Sequence, residues 1–127
     1  MGTHAMVGVY NSNGGSVDAS YCHYDGYIQG VGRTLVNSYN TLYDAEVVAR
    51  GGYMSSLHDD YVRTRAEAVH AEVSVTYDSV DEYLTAGFEY AGAEYLYLFD
   101  CEVWFYAYRH GSEVLFEEVE MNLEDAA

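Results

Sequence analysis

Hydrophobic and polar positions alternate or recur in short, well-separated blocks from end to end of the chain. Val7-Gly-Val-Tyr10 and Ser16-Val-Asp-Ala-Ser-Tyr-Cys22 flank Asn11-Ser-Asn-Gly-Gly15, a β-hairpin signal with Asn and Gly at the turn. Tyr24-Asp-Gly26 closes the second strand. Ile28, Val31, Leu35 and Tyr39 then fall on one side of a predicted helix from Tyr27 to Asn40, which Gly30 and Gly32 weaken. Thr41 is placed to cap a short helix, Leu42 to Arg50, that Gly51-Gly52 stops. Asp59 or Asp60 begins a third helix running to about Ala71, with Arg63 and Glu67 four residues apart on it. Glu72 to Tyr77 alternates with a period of two and predicts a strand.

The sharpest pattern follows. Val80, Tyr83, Leu84, Gly87, Phe88 and Ala91 form one apolar stripe at helical spacing, capped by Asp78 or Ser79. Asp81, Glu82 and Glu89 fall off that stripe and are expected in solvent, with Asp81 and Glu82 suiting the positive end of the helix. Glu94 to Phe99 and Val103 to Tyr108 are aromatic-rich strands joined by a tight turn at Asp100-Cys-Glu102. Arg109-His-Gly-Ser112 turns the chain again, Val114 to Val119 is a last strand or short helix, and the acidic tail is expected to fray. Two hairpins with helices between them predict an α+β fold: an antiparallel sheet with three to four helices packed on one face.

Length allows one core: residues 1–5 read as a cloning scar, and residues 6–127 as a single acidic α+β domain. No apolar run approaches the roughly 18–20 residues that span a bilayer, so the expectation is a cytoplasmic protein, inside a host cell, with no membrane partner. Tyr supplies 15 residues and Phe and Trp together only five, which puts polar-tipped rings at surfaces or interfaces.

Charge changes the picture most. Twenty-one acids face five Arg, with no Lys. Seven acids and four Arg lie before Glu72, a net of −3; fourteen acids and only Arg109 follow, a net of −13. Such a surface repels nucleic acid, anionic membrane and nucleotide phosphates, and attracts basic proteins. Solubility or adaptation to high salt would produce the same composition.

Sites for chemistry are sparse. Cys22 and Cys101 are too few for a disulfide scaffold, and their pairing is left open. Cys22 and His23 suggest a nucleophile with a base, or half a metal site, yet adjacent strand residues point to opposite faces. Zinc would need two more ligands, and His58, His70 and His110 stand singly. Gly30-Val-Gly32 lacks the third Gly of a dinucleotide fingerprint, and a phosphate loop is excluded without Lys. The expectation is therefore a non-enzymatic protein with no catalytic residue, metal or cofactor.

Tyr21-Cys-His-Tyr-Asp-Gly-Tyr27, followed by Gly30-Val-Gly32, Leu35, Tyr39 and Ser55-Ser56-Leu57, resembles a family of small, largely uncharacterised phage and mobile-element proteins. Their motif usually reads Tyr-Cys-His-Trp-Asp-Gly-Tyr, so Tyr24 stands in place of Trp. Glu94 to Asp100, with Trp104, is similar to their C-terminal hairpin, and Cys101 takes the place of a common turn Gly. The resemblance covers most of the chain in patches and implies a phage or mobile-element accessory protein. By analogy it is similar to acidic DNA mimics that oppose restriction enzymes or CRISPR effectors.

The expected docking surface is a patterned set of carboxylates. Same-face strand residues recur at about 6.8 Å, near two phosphate steps of about 3.4 Å along one DNA strand. Asp78, Asp81, Glu82 and Glu89 would combine with Glu102, Glu113, Glu117, Glu118 and Glu120 to meet a basic host nucleic-acid-binding protein. The alternative is a structural or regulatory phage protein that docks through its Tyr-rich hairpin. Either reading is compatible with a homodimer, and neither involves direct nucleic acid binding.

Overall fold

Six consecutive residues of the first strand, β1 (Ala5–Asn11), carry small or apolar side chains, and its first five residues are buried. Such a run marks a central strand covered on both faces. In the computed structural model, which describes residues 3–110 and 116–125, β1 pairs antiparallel with β2 (Ser16–Cys22). The turn between them closes with Gly14 and Gly15 amides donating to the Asn11 carbonyl, Gly15 at φ +77°. At the other end β4 (Tyr95–Asp100) and β5 (Val103–Tyr108) form the second predicted hairpin. β3 (Val75–Tyr77) and β6 (Glu117–Glu118) add the outer strands, giving the order β3-β2-β1-β4-β5-β6.

The α+β class holds, and both hairpins are antiparallel. Their junction is not: β1 runs parallel to β4, Ala5 opposite Tyr95 through Val9 opposite Phe99, so the sheet is mixed. A parallel neighbour needs a long crossover, and the helices between β2 and β4 supply it.

The helices also lie on both faces rather than one. Ala5, Val7, Val9, Tyr97 and Phe99 face α1 (Arg33–Ser38), α2 (Leu42–Arg50) and α5 (Val119–Asp125), through Leu35, Val48 and Val119. Met6, Val17, Ala19, Leu96 and Leu98 face α4 (Val80–Glu89) through Tyr83 and Phe88. The alternation along β1 and β4 is apolar in both registers, so each face demands its own cover.

Local signals account for most element ends. Thr41 accepts the Asp44 amide at 3.2 Å, and Asp60 accepts that of Val62 at 2.9 Å to open α3 (Tyr61–Ala66). Ser79, the alternative to Asp78, caps α4 by accepting the Glu82 amide at 3.1 Å; the Glu82 carboxylate reaches back to the Asp78 amide at 3.0 Å. The helix expected from Tyr27 begins instead as a π-helical turn, Ile28–Gly32, before α1. Val31 donates to the Asp25 carbonyl at 2.9 Å, which widens the first turn.

α3 stops five residues before the expected Ala71, because the chain beyond it is drawn into extended contact: Val69 N–H donates to Ser55 Oγ, and Tyr53 N–H to Glu72 O. The same contact shortens β3, whose predicted start was Glu72. The acidic tail forms α5 through Asp125, anchored by buried Val119. Thr3, His4 and Ala5, read from the sequence as scar, take part in the fold: Thr3 O accepts Gly26 N–H, and His4 Nδ1 lies 2.7 Å from His23 O.

Candidate functional site

All the predicted acids within the described residues are exposed, and they separate into groups. Asp78 precedes α4, whose outer side carries Asp81, Glu82 and Glu89, with Asp81 and Glu89 bounding a shallow hollow beside Leu84 and Phe88. Glu102, Glu118 and Glu120 line a second hollow with Asn37, Asn40 and Trp104, beside α1. Glu117 is drawn aside, accepting the Tyr106 hydroxyl at 3.2 Å. Burial, and then the Glu117 carboxylate, pushes that phenol up to about 12. Glu113 lies outside the described residues. The eight described acids are thus not gathered on one face: α4 and the Glu102 hollow belong to opposite sides of the sheet.

Charge compensation is uneven. Arg50 meets Asp18 and Glu46, each at 2.9 Å, and Arg63 meets Glu67 at 3.1 Å. Hydrogen bonds from Thr76 and Arg50 outweigh partial burial and hold Asp18 below its ordinary value. Arg65 spends its guanidinium on the Tyr53 carbonyl at 2.7 Å. Among the described residues, no ion pair reaches Asp78, Asp81, Glu82, Glu89, Glu102, Glu117, Glu118 or Glu120. The arginine ion pairs all fall on Asp18, Glu46 and Glu67 in the first half of the chain, and none among the described residues reaches these carboxylates.

Glu102 stands in an unusual backbone position. The two residues between β4 and β5, Cys101 and Glu102, have φ of +49° and +64°. A two-residue hairpin of this kind favours Asn-Gly, and left-handed backbone costs an ordinary residue roughly 1–2 kcal/mol. The turn keeps a carboxylate where glycine would relieve strain.

The Tyr-rich hairpin is mostly core. Tyr97 and Tyr106 are buried, and Tyr95 and Tyr108 half-buried. Tyr97 donates to the Gly26 carbonyl at 2.7 Å, and Tyr83 to the Tyr97 carbonyl at 2.7 Å. The exposed rings are elsewhere, at Tyr24, Tyr27, Tyr43 and Tyr90.

The Cys22–His23 corner is not arranged for nucleophilic attack. Burial pushes the Cys22 thiol up to about 12, and its Sγ lies 3.5 Å from the Tyr24 carbonyl. Both cysteines are free, Cys22 buried and Cys101 exposed at the turn. Among the described residues no group of three or more His, Cys, Asp or Glu is placed to hold a metal ion, and no helix is long and apolar enough to cross a membrane.

The same corner does build a concavity that the motif alone does not disclose. β2 extends beyond its ladder: Met54 N–H donates to Tyr21 O, and His23 N–H to Met54 O. The 53–55 segment in turn holds residues 69–72 through Val69 and Glu72. With a period of two, Tyr21 and His23, Tyr53 and Ser55, and His70 and Glu72 share one face. They surround a cleft of about 580 Å³. A neighbouring apolar hollow of about 390 Å³ shares Tyr21, Tyr53 and Glu72 with it. Tyr21 to Tyr24 and Ser55-Ser56 are the parts of this site visible as motif residues; Tyr53, His70 and Glu72 are brought to it by long-range pairing.

No family model, no curated protein and no solved structure matches the chain.

Proposed function

We propose that the protein is a non-catalytic inhibitor that occupies the basic groove of a nucleic-acid-binding protein, its carboxylates standing in for phosphates. One observation carries the reading: among the described residues, the exposed acids of the C-terminal half have no ion pair, while Arg50 and Arg63 pair with Asp18, Glu46 and Glu67 in the first half. The strained turn that retains Glu102 adds support, since strain at a surface position is a feature of functional loops. The resemblance to phage and mobile-element proteins makes a host defence protein, a CRISPR effector or restriction enzyme, the class of target. Burial of Tyr97 and Tyr106 withdraws support from docking through the hairpin rings.

The test is competition. Purified restriction and CRISPR nucleases are titrated with the protein in the presence of labelled DNA, across a salt series. The proposal expects DNA displacement and affinity that falls steeply with salt. Glu117→Gln, Glu118→Gln and Glu120→Gln together are expected to weaken binding by about tenfold or more at low salt. Binding that leaves DNA in place, or that ignores both salt and the triple substitution, overturns the proposal.

A further inference from the structure

We infer that the cleft walled by Tyr21, His23, Tyr53 and His70 is a binding site for a guanidinium group, the arginine side chain of a partner polypeptide. The site is separate from the acids discussed above, and this inference stands independently of the proposed function. Its walls are aromatic and set at varied angles. Tyr21 and Tyr53 lie 5.8 Å apart at 30°, and His70 meets Tyr53 edge-on at 4.8 Å. Tyr21 and His23 are 5.9 Å apart at 49°, with the Tyr21 hydroxyl 3.2 Å from His23 Nδ1. Ring faces around an open space attract a flat cation, and they do so more strongly where water is partly excluded.

The cleft also holds two carboxylates, and only one is neutralised. Glu67 accepts from His58 Nε2 at 2.7 Å and Arg63 Nε at 3.1 Å, which together hold it below its ordinary value. Glu72 has no ion pair among the described residues. Its backbone is fixed by the bond from Tyr53 N–H, so its side chain is carried at the cleft wall. Burial, followed by neighbours including Glu72, raises the Tyr21 phenol, which keeps it neutral as a hydrogen-bonding group. An unpaired carboxylate beside these tilted ring faces matches a guanidinium, which is planar, stacks on aromatic faces and donates bidentately. An ammonium meets only part of that set.

The probe is acetyl-Arg-Leu amide, titrated into the full chain and followed by NMR of the cleft ring protons, with its citrulline counterpart as the neutral isostere. Saturable shifts at Tyr21, Tyr53 and His70 are expected at millimolar concentration, with citrulline about tenfold weaker. Glu72→Gln, an exposed substitution, is expected to weaken the arginine peptide by about tenfold with the circular dichroism spectrum unchanged. Absence of shifts at about 10 mM peptide overturns the inference. So does equal binding of citrulline, a lysine peptide that binds as tightly, or indifference to Glu72→Gln.

Discussion

Raising the pH should unfold this protein through its buried phenols and thiol, in a range where its carboxylates are already fully ionised. Tyr83 and Tyr97 are fully enclosed, and burial holds both phenols well above their ordinary value. Cys22 is raised from 9.0 to about 12 for the same reason. Each group is neutral in the folded state and ionises more readily once unfolded. Its contribution is therefore fully present below the unfolded pKa and is lost as pH rises through the folded one. The loss is about 1.4 kcal/mol per group per pH unit across that window. Cys22 begins to act above pH 9, and the tyrosines above about pH 10. By about pH 11 Cys22 alone removes about 3 kcal/mol, and the two tyrosines add to that loss in the same direction. Tyr39 and Tyr106 act in the same direction. The assay follows phenolate absorbance and far-UV circular dichroism in one titration. The phenolates of the most deeply buried rings should emerge only in the cooperative loss of secondary structure. Tyr83→Phe should flatten the pH slope of stability by about 1.4 kcal/mol per unit, while losing the bond to the Tyr97 carbonyl. If all fifteen tyrosines ionise smoothly with the dichroism unchanged, the buried positions of Tyr83 and Tyr97 are refuted.

Two substitutions test the backbone. Glu102→Gly, at φ +64°, should raise stability in urea by about 1 kcal/mol and weaken binding to the proposed nuclease target, separating fold from function. Gly52→Ala should lower stability by about 2 kcal/mol or more in the same assay: Gly52 has φ +93°, and an added Cβ would meet the Glu72 carbonyl oxygen at 2.5 Å.

How far these features could be read in advance depends on the range of the interaction that makes them. α4 was legible because its stripe and its Ser79 cap are local, and the buried Tyr83, Gly87 and Phe88 fall at the expected positions. Both hairpins were legible from their turns. The parallel join of β1 to β4 was not, since no local signal brings Ala5 beside Tyr95. The cover on both sheet faces was partly visible in the unbroken run from Ala5 to Val9, although its first residue, Ala5, falls in the segment that reads as a scar. Tyrosine was misleading in number. Tyr39, Tyr53, Tyr77, Tyr83, Tyr97 and Tyr106 are buried. Several of their hydroxyls are satisfied by distant carbonyls, Gly26 for Tyr97 and His58 for Tyr39. The acids were legible as exposed and as concentrated in the second half, yet chain halves are not molecular faces. Only the fold reveals that α4 and the Glu102 hollow look in different directions.

That division decides how the carboxylates can act. A sheet with a helix layer on each side is more than about 20 Å thick. A flat basic surface therefore reaches only one group at a time, whereas a deep groove reaches both. Charges separated by more than roughly 8–10 Å are largely screened from one another in physiological salt, so contributions from the two sides of the sheet should add. They also differ in what else they do. Asp81 and Glu82 sit in the first turn of α4, and Glu120 in that of α5, where negative charge already stabilises a helix. Glu118, the residue before α5, shares that environment, whereas Glu102 has no such local role. Glu102 occupies a strained turn that glycine would relax, and Glu118 stands on the outermost strand of the sheet. Local stability explains Asp81 and Glu82 without a partner; it explains neither Glu89, at the C-terminal end of α4, nor Glu102. The proposed docking surface is therefore centred on the hollow that Glu102 and Glu118 share.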